Sequence, residues 1–209
     1  DDNPFAQWEA GQCFMRSLVL RVTSALASAS VVEVDERLAG VFSQLLAKKS
    51  NDNLFLSRLL SLPTAQYLLQ QAPGLDPQYL HEALCVVKKN LACALSSSWE
   101  KVYRQVIAEE GSTPGDRALG NLCLSYWLHS EQEQAFETAY AQFNAASSMT
   151  MVMGALLALN QHDCPQRTQA LAAFYQKWKA QPLVVNKWLM LQASAPLPET
   201  LAQVEACCL

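Results

Sequence analysis

Few side chains in this 209-residue sequence have the type and spacing to do chemistry, and the sharpest arrangement is His81-Glu82-Ala-Leu-Cys85. It is similar to the zinc-binding pattern H-E-x-x-H, with cysteine in the second ligand position. At i and i+4 of a helix, two such side chains could share one metal ion. A third ligand is wanting, because the next histidines are His129 and His162. Cys85 follows Leu84 in an apolar stripe. His81 and Glu82 are therefore read as surface residues in the first turns of a helix, where Glu82 also suits the positive end of the helix dipole. His162-Asp-Cys164 precedes a proline and reads as a helix-end loop rather than a metal site. Cys207 and Cys208 are adjacent near the C-terminus, and adjacency alone does not make a redox motif. There is no G-x-S-x-G, P-loop or glycine-rich dinucleotide loop. By residue chemistry the chain is a non-catalytic module, with no catalytic, cofactor-binding or metal-binding residue assigned.

Composition narrows the elements that could carry such a module. The sequence is 51% hydrophobic and 16% charged, with a net charge of −4. That excludes a disordered polar chain and argues against a nucleic-acid binder, which carries a basic excess. No Lys or Arg occurs from residue 118 through 166, so no phosphate-binding track runs there. Trp8, Trp99, Trp127, Trp178 and Trp188 are not interleaved with basic residues and read as core or rim aromatics. The charged fraction falls short of the usual value of about 25%. The shortfall hints that part of the surface is covered by something outside the chain. No window reaches the roughly 18 apolar residues of a membrane span, and Asp1-Asp-Asn-Pro4 has neither the basic nor the apolar run of a signal peptide. The seven cysteines are odd in number and irregularly spaced, most of them within apolar helical runs. Reduced, buried thiols and a cytoplasmic location are expected.

Hydrophobic spacing predicts helices from end to end. Leu171, Phe174, Tyr175 and Trp178 fall at i, i+3, i+4 and i+7. Leu80, Leu84, Val87, Leu91 and Leu95 mark one stripe, continued by Val102 and Val106 toward Glu110. Leu119, Leu122, Cys123 and Tyr126 mark another. Asp76-Pro77 reads as an N-cap with proline at the first helical position. Thr113-Pro114, Cys164-Pro165 and Gln181-Pro182 are further boundaries, and Ser130 with Glu133 matches a capping box. The most obvious break is residues 111–115. Met149 to Leu159 is apolar nearly all round, and no charged residue occurs from Thr138 to His162, so this helix needs burial on every side. It suits a central core helix, or a face pressed against another domain. The expected fold is all-α, about ten helices in antiparallel pairs, forming an irregular HEAT- or armadillo-like α-solenoid over residues 1–209 as a single domain.

Particular segments then stop looking generic. Gln7-Trp-Glu-Ala-Gly-Gln12 resembles the opening of the C-terminal helical domain of aminopeptidase N of the bacterial and plant type, a zinc metallo-aminopeptidase family of the gluzincin class. Further matches follow in that family's order. They are Leu62-Pro-Thr-Ala65, Asp76-Pro77, Arg117-Ala-Leu-Gly-Asn121, Met149-Thr150, and Phe174-Tyr-Gln-Lys-Trp178 followed by Leu183-Val-Val-Asn-Lys-Trp-Leu-Met-Leu-Gln-Ala193. The resemblance spans the whole chain and about the first two thirds of the family's domain, stopping before its His-Pro-x-Phe and Asn-Pro-Asn segments. Ser148 and Met151 depart from the family's asparagine and aspartate around Met-Thr.

The resemblance implies a division of labour. The family's H-E-x-x-H zinc helix and G-x-M-E-N loop belong to an upstream domain, so no catalytic or zinc-binding residue carries over, and the chain alone is expected to be inactive. Its partners would be the upstream catalytic and β-sandwich domains of the same protein and the parent's peptide substrates, with neither nucleic acid nor membrane. The helical domain would cover the active-site chamber and limit access to peptides, whose N-terminal residues the parent removes. An alternative is a free-standing α-solenoid scaffold for protein contacts derived from that domain.

Overall fold

The computed structural model describes residues 3–32, 35–48, 50–107 and 113–207, with side chains as far as residue 205. Among these residues there are twelve helices and no strand. They are α1 Pro4–Ala27, α2 Glu36–Ala47, α3 Asn53–Leu59, α4 Ala65–Gln71, α5 Pro77–Ala94, α6 Ser96–Ile107, α7 Pro114–Leu128, α8 Glu133–Ala145, α9 Met149–Leu159, α10 Pro165–Trp178, α11 Pro182–Ala193 and α12 Thr200–Cys207. The chain is all-α, as expected. The count exceeds about ten partly because α3 and α4 have seven residues each, too few to display a periodic stripe.

Local chemistry starts these helices where the sequence says it should. Asn3, Asp35, Asp52, Thr64, Asp76, Thr113 and Ser148 each accept a backbone N–H at a helix N-terminus, which satisfies a donor that the helix itself leaves unpaired. Pro4, Pro77, Pro114, Pro165 and Pro182 occupy first-turn positions, where a missing N–H is harmless.

Two boundaries differ from expectation. The stripe through Leu95 is not continuous, because α5 ends at Ala94 and α6 begins at Ser96. Leu95 leaves helical geometry at φ −124°, ψ 22°, and its carbonyl receives the N–H groups of both Ser98 and Trp99. Serines favour helix starts over interiors, and Ser96-Ser97-Ser98 supplies three in a row. The second miss is the capping box at Ser130. The Ser130 hydroxyl donates instead to Trp127 O at 2.6 Å. Glu131 adopts a left-handed φ of 59°, and Gln132 becomes the N-cap of α8 without a side-chain bond. The continuation of α6 toward Glu110 and the break at residues 111–115 lie partly outside the described residues.

The chain divides into two compact units, residues 1–130 and 131–209. In the first, α1 packs on α5, α3 on α7 and α6 on α7. Its centre is aromatic. The Trp99 and Tyr126 rings stack at 4.3 Å with an interplanar angle of 5°, and Phe42 meets both edge-on at 6.1 and 6.3 Å. All three are buried. Such pairs contribute beyond the apolar area they remove from water. The close approach of α7 to α3 depends on Gly115, whose added Cβ would lie 2.9 Å from Leu54 N.

In the second unit, α8 packs on α9, and α10 on both. Ala135, Ala139, Ala155, Leu156, Leu159, Ala170, Leu171, Phe174 and Leu191 are buried. The helix α9 is not enclosed on every side. Its Ala155, Leu156, Ala158 and Leu159 are buried, but Leu157 is 45% exposed and Met149 through Gly154 are at most half-buried, with Thr150 exposed. On α11, only Leu191 is buried, while Leu183 is 81% and Met190 53% exposed. No helix among the described residues is long and apolar enough to cross a membrane.

Candidate functional site

The core chemistry of the first unit leads directly to a partly polar cleft. Tyr126 Oη, fully buried, donates to Leu60 O at 3.0 Å. From the other side, Gln12 Nε2 of α1 donates to Ser61 O at 3.0 Å. These two bonds hold the segment between α3 and α4. Against it stands a cleft of about 280 Å³ lined by Trp8, Gln12, Arg58, Ser61, Leu62, Pro63, Thr64 and Tyr67. Two of the segments that carry the sequence resemblance, Gln7 to Gln12 and Leu62 to Ala65, thus meet in space.

Among the described residues, the lining has no carboxylate. Arg58 is exposed at the end of α3 and has no hydrogen-bond or ion-pair partner among the described residues. Arg16 Nη1 donates to Tyr67 Oη at 3.1 Å, so a second guanidinium stands at the rim. Tyr67 Oη accepts that bond, which leaves its own proton to point elsewhere. Arg58 and Tyr67 are residues that sequence reading did not single out, because each sits alone on a seven-residue helix. A second cleft, of about 290 Å³, lies between α1 and α2 and is walled by Gly11, Phe14, Leu38, Val41, Phe42 and Leu45 among others; it is apolar.

The sequence candidates fall out differently. His81 and Glu82 are exposed on α5, with His81 Nε2 3.6 Å from Cys85 Sγ. Among the described residues, no three His, Cys, Asp or Glu side chains come together as a metal site would need. Neighbouring atoms partly desolvate the Cys85 thiol and raise it above its ordinary value although the side chain reaches the surface, the opposite of an activated nucleophile. His162, in the loop between α9 and α10, sets its ring edge-on to Phe136 at 5.3 Å. Cys164 takes the N-cap position of α10 without a side-chain bond. The Cys207 side chain and Cys208 lie outside the described residues.

The expectation of buried thiols is corrected. Cys123 is buried and Cys164 half-buried, but Cys13, Cys85 and Cys93 are exposed. A cysteine beside an apolar stripe shares its helix, not necessarily its face. The tryptophans follow expectation. Trp99 and Trp127 are buried, while Trp188 is half-buried with Nε1 donating to Leu171 O at 3.0 Å.

Further polar groups are structural. Lys88 of α5 donates to Ser125 Oγ at 2.8 Å and lies 5.6 Å from the Tyr126 ring centroid. Burial, without a carboxylate beside it, lowers its pKa to about 8. Asp116 closes a capping box with Thr113 and also receives Asn53 Nδ2 at 2.6 Å. The Asn53 bond first, and then those from Thr113, hold its carboxyl below the usual range. In the second unit, Arg167 Nε donates to Asn160 Oδ1 at 3.1 Å, and Asn160 Nδ2 to Leu191 O at 2.7 Å, tying α9, α10 and α11 together.

Comparison with known proteins places this arrangement. The family described as "Domain of unknown function (DUF3458_C) ARM repeats" matches residues 1–208, in agreement with the expected helical solenoid. The aminopeptidase N of Caulobacter vibrioides is 28% identical over 211 residues, 99% of this chain and 24% of that protein. That of Escherichia coli is 24% identical over 206 residues, 97% of this chain and 24% of that protein. The matches fall in the C-terminal part of these relatives. The crystal structure of Legionella pneumophila aminopeptidase A in complex with aspartic acid has the same fold, with a TM-score of 0.83 and 24% identity over 99% of this chain and 25% of that one. The chain spans about a quarter of the length of the curated relatives it matches.

Proposed function

The chain belongs to the ARM-repeat family that matches residues 1–208, and from that premise we propose that it serves as the non-catalytic C-terminal helical domain of an aminopeptidase N. In this reading residues 1–209 act as one domain that covers the active-site chamber of an upstream zinc catalytic domain and limits entry to peptides. The parent enzyme removes N-terminal residues from peptides in the cytoplasm, using a zinc-bound water. Among the described residues, His81 and Cys85 find no third ligand, so they do not make up a zinc site. In this reading zinc belongs to the part of the parent outside this chain.

The observation that carries the reading is the match to aminopeptidase N along nearly the whole chain, where that chain accounts for only 24% of the relative. Exposed apolar side chains support it. Leu183 and Met190 on α11, together with Leu201, stand uncovered, as they would on a module made to dock. The test is hydrolysis of aminoacyl chromogenic substrates, by the chain alone and by the product of its whole gene. The chain should be inactive and hold no stoichiometric zinc, and the whole product should be active. Zinc-dependent turnover by the chain alone refutes the reading. A gene that encodes nothing upstream of these helices leaves the free-standing scaffold instead.

A further inference from the structure

We propose that the cleft between Trp8, Arg58 and Tyr67 is a binding site for a peptide carboxylate carried next to an apolar group. The proposal stands on the cleft alone and holds whether or not the chain belongs to a longer peptidase.

The donors around the cleft outnumber the acceptors left open. Arg58 is exposed and has no partner among the described residues. Tyr67 Oη already accepts from Arg16, so its proton is available. Trp8 Nε1 has no partner among the described residues, and the ring is 37% exposed. Two of the acceptors are engaged, and Gln12 Oε1 is left as a neutral side-chain acceptor on the lining. Ser61 O takes Gln12 Nε2, and Thr64 Oγ1 takes Tyr67 N at 3.2 Å. A surplus of donors, with two guanidiniums and no lining acid among the described residues, calls for a ligand that accepts, and an ionised carboxylate does that.

The walls select among anions. The Trp8 and Tyr67 rings, Leu62 and the Pro63 ring present apolar surface to whatever occupies the space. Inorganic phosphate would leave that surface wet, whereas an amino-acid residue covers it while presenting its carboxylate to Arg58. At about 280 Å³ the cleft is just below the usual range for drug-sized ligands, which suits one residue. Its rear wall is fixed in advance by Tyr126 and Gln12, so little ordering is needed on binding. The carboxylate can come from a chain terminus or from an acidic side chain.

Titration of the ¹⁵N-labelled chain, followed through the Trp8 indole N–H signal, tests the proposal. The signal is identified by its loss in Trp8→Phe. The probes are N-acetyl-leucine, N-acetyl-glutamic acid α-amide, N-acetyl-leucinamide and inorganic phosphate. One of the two carboxylate probes should move the signal and saturate, with a Kd on the order of 1 mM, and the stronger of the two names the source. Arg58→Gln, a substitution at an exposed position, should weaken that binding by about tenfold with the far-ultraviolet circular dichroism unchanged. Equal shifts with N-acetyl-leucinamide would reduce the cleft to an apolar groove, and equal affinity for phosphate would reduce it to an anion patch. Either result, unchanged binding in Arg58→Gln, or no shift with any probe overturns the proposal.

Discussion

Tyr126→Phe isolates one buried hydrogen bond from the packing around it. The substitution keeps the ring that stacks on Trp99 at 4.3 Å and meets Phe42 edge-on, so the apolar burial and aromatic geometry survive. It removes the hydroxyl that donates to Leu60 O at 3.0 Å in a buried setting. Burial pushes the Tyr126 phenol far upward, so the group is a protonated donor throughout the working pH range. Leaving a buried carbonyl without its donor costs about 1–3 kcal/mol. For a chain of this size, each kcal/mol corresponds to roughly 2–4 °C in Tm. A loss of about 2 kcal/mol therefore predicts a Tm lowered by about 4–8 °C. Urea titration should show a lower midpoint at unchanged slope. A Tyr126→Phe midpoint within about 0.3 kcal/mol of the parent, a difference typical of an inert surface substitution, would refute the reasoning.

Other expectations follow from the same geometry. Lys88→Met should raise stability at pH 7 by about 1 kcal/mol or more, because a desolvated cation is exchanged for an apolar chain of similar length. The folded pKa of Lys88, about 8, lies below the unfolded value. The cost is therefore fully present below pH 8 and is relieved as pH rises toward about 10.4, so paired denaturation curves should converge across that window; a constant gap contradicts the assignment. Gly115→Ala should lose about 1–2 kcal/mol in a thermal melt despite the better helix propensity of alanine, since the new Cβ would lie 2.9 Å from Leu54 N; an unchanged or higher Tm counts against so close an approach. Peptide mapping after a short native exposure to a thiol reagent should find Cys13, Cys85 and Cys93 modified and Cys123 modified only after denaturation; early labelling of Cys123 contradicts its burial.

Helix type and most helix starts were legible because they rest on local chemistry. Asp76-Pro77 and Thr113-Pro114 cap helices in the structure as their side chains and ring geometry require. The stripe through Leu95 misled because two helices in succession can keep one apolar rhythm while the chain turns between them, and the three serines after Leu95 were the signal that could have shown the turn. Ser130 misled because its hydroxyl has two possible partners, and the left-handed turn at Glu131 decides for Trp127 O. At the cleft, Gln12 and Leu62-Pro63-Thr64 could be found through family resemblance. Arg58 and Tyr67 could not, since their juxtaposition is set by the Tyr126 and Gln12 bonds from distant helices. The departure at Ser148 proved mild, for the serine hydroxyl itself accepts Met151 N at 3.4 Å and the helix still has its cap.

Tyr126 and Gln12 grip the stretch after α3 by its main-chain oxygens, at Leu60 and Ser61. Every residue type carries such an oxygen, so mutational drift within the stretch leaves both anchor points intact. The path of this wall is thus inherited from positions 12 and 126, while Thr64 keeps its separate duty as the N-cap of α4.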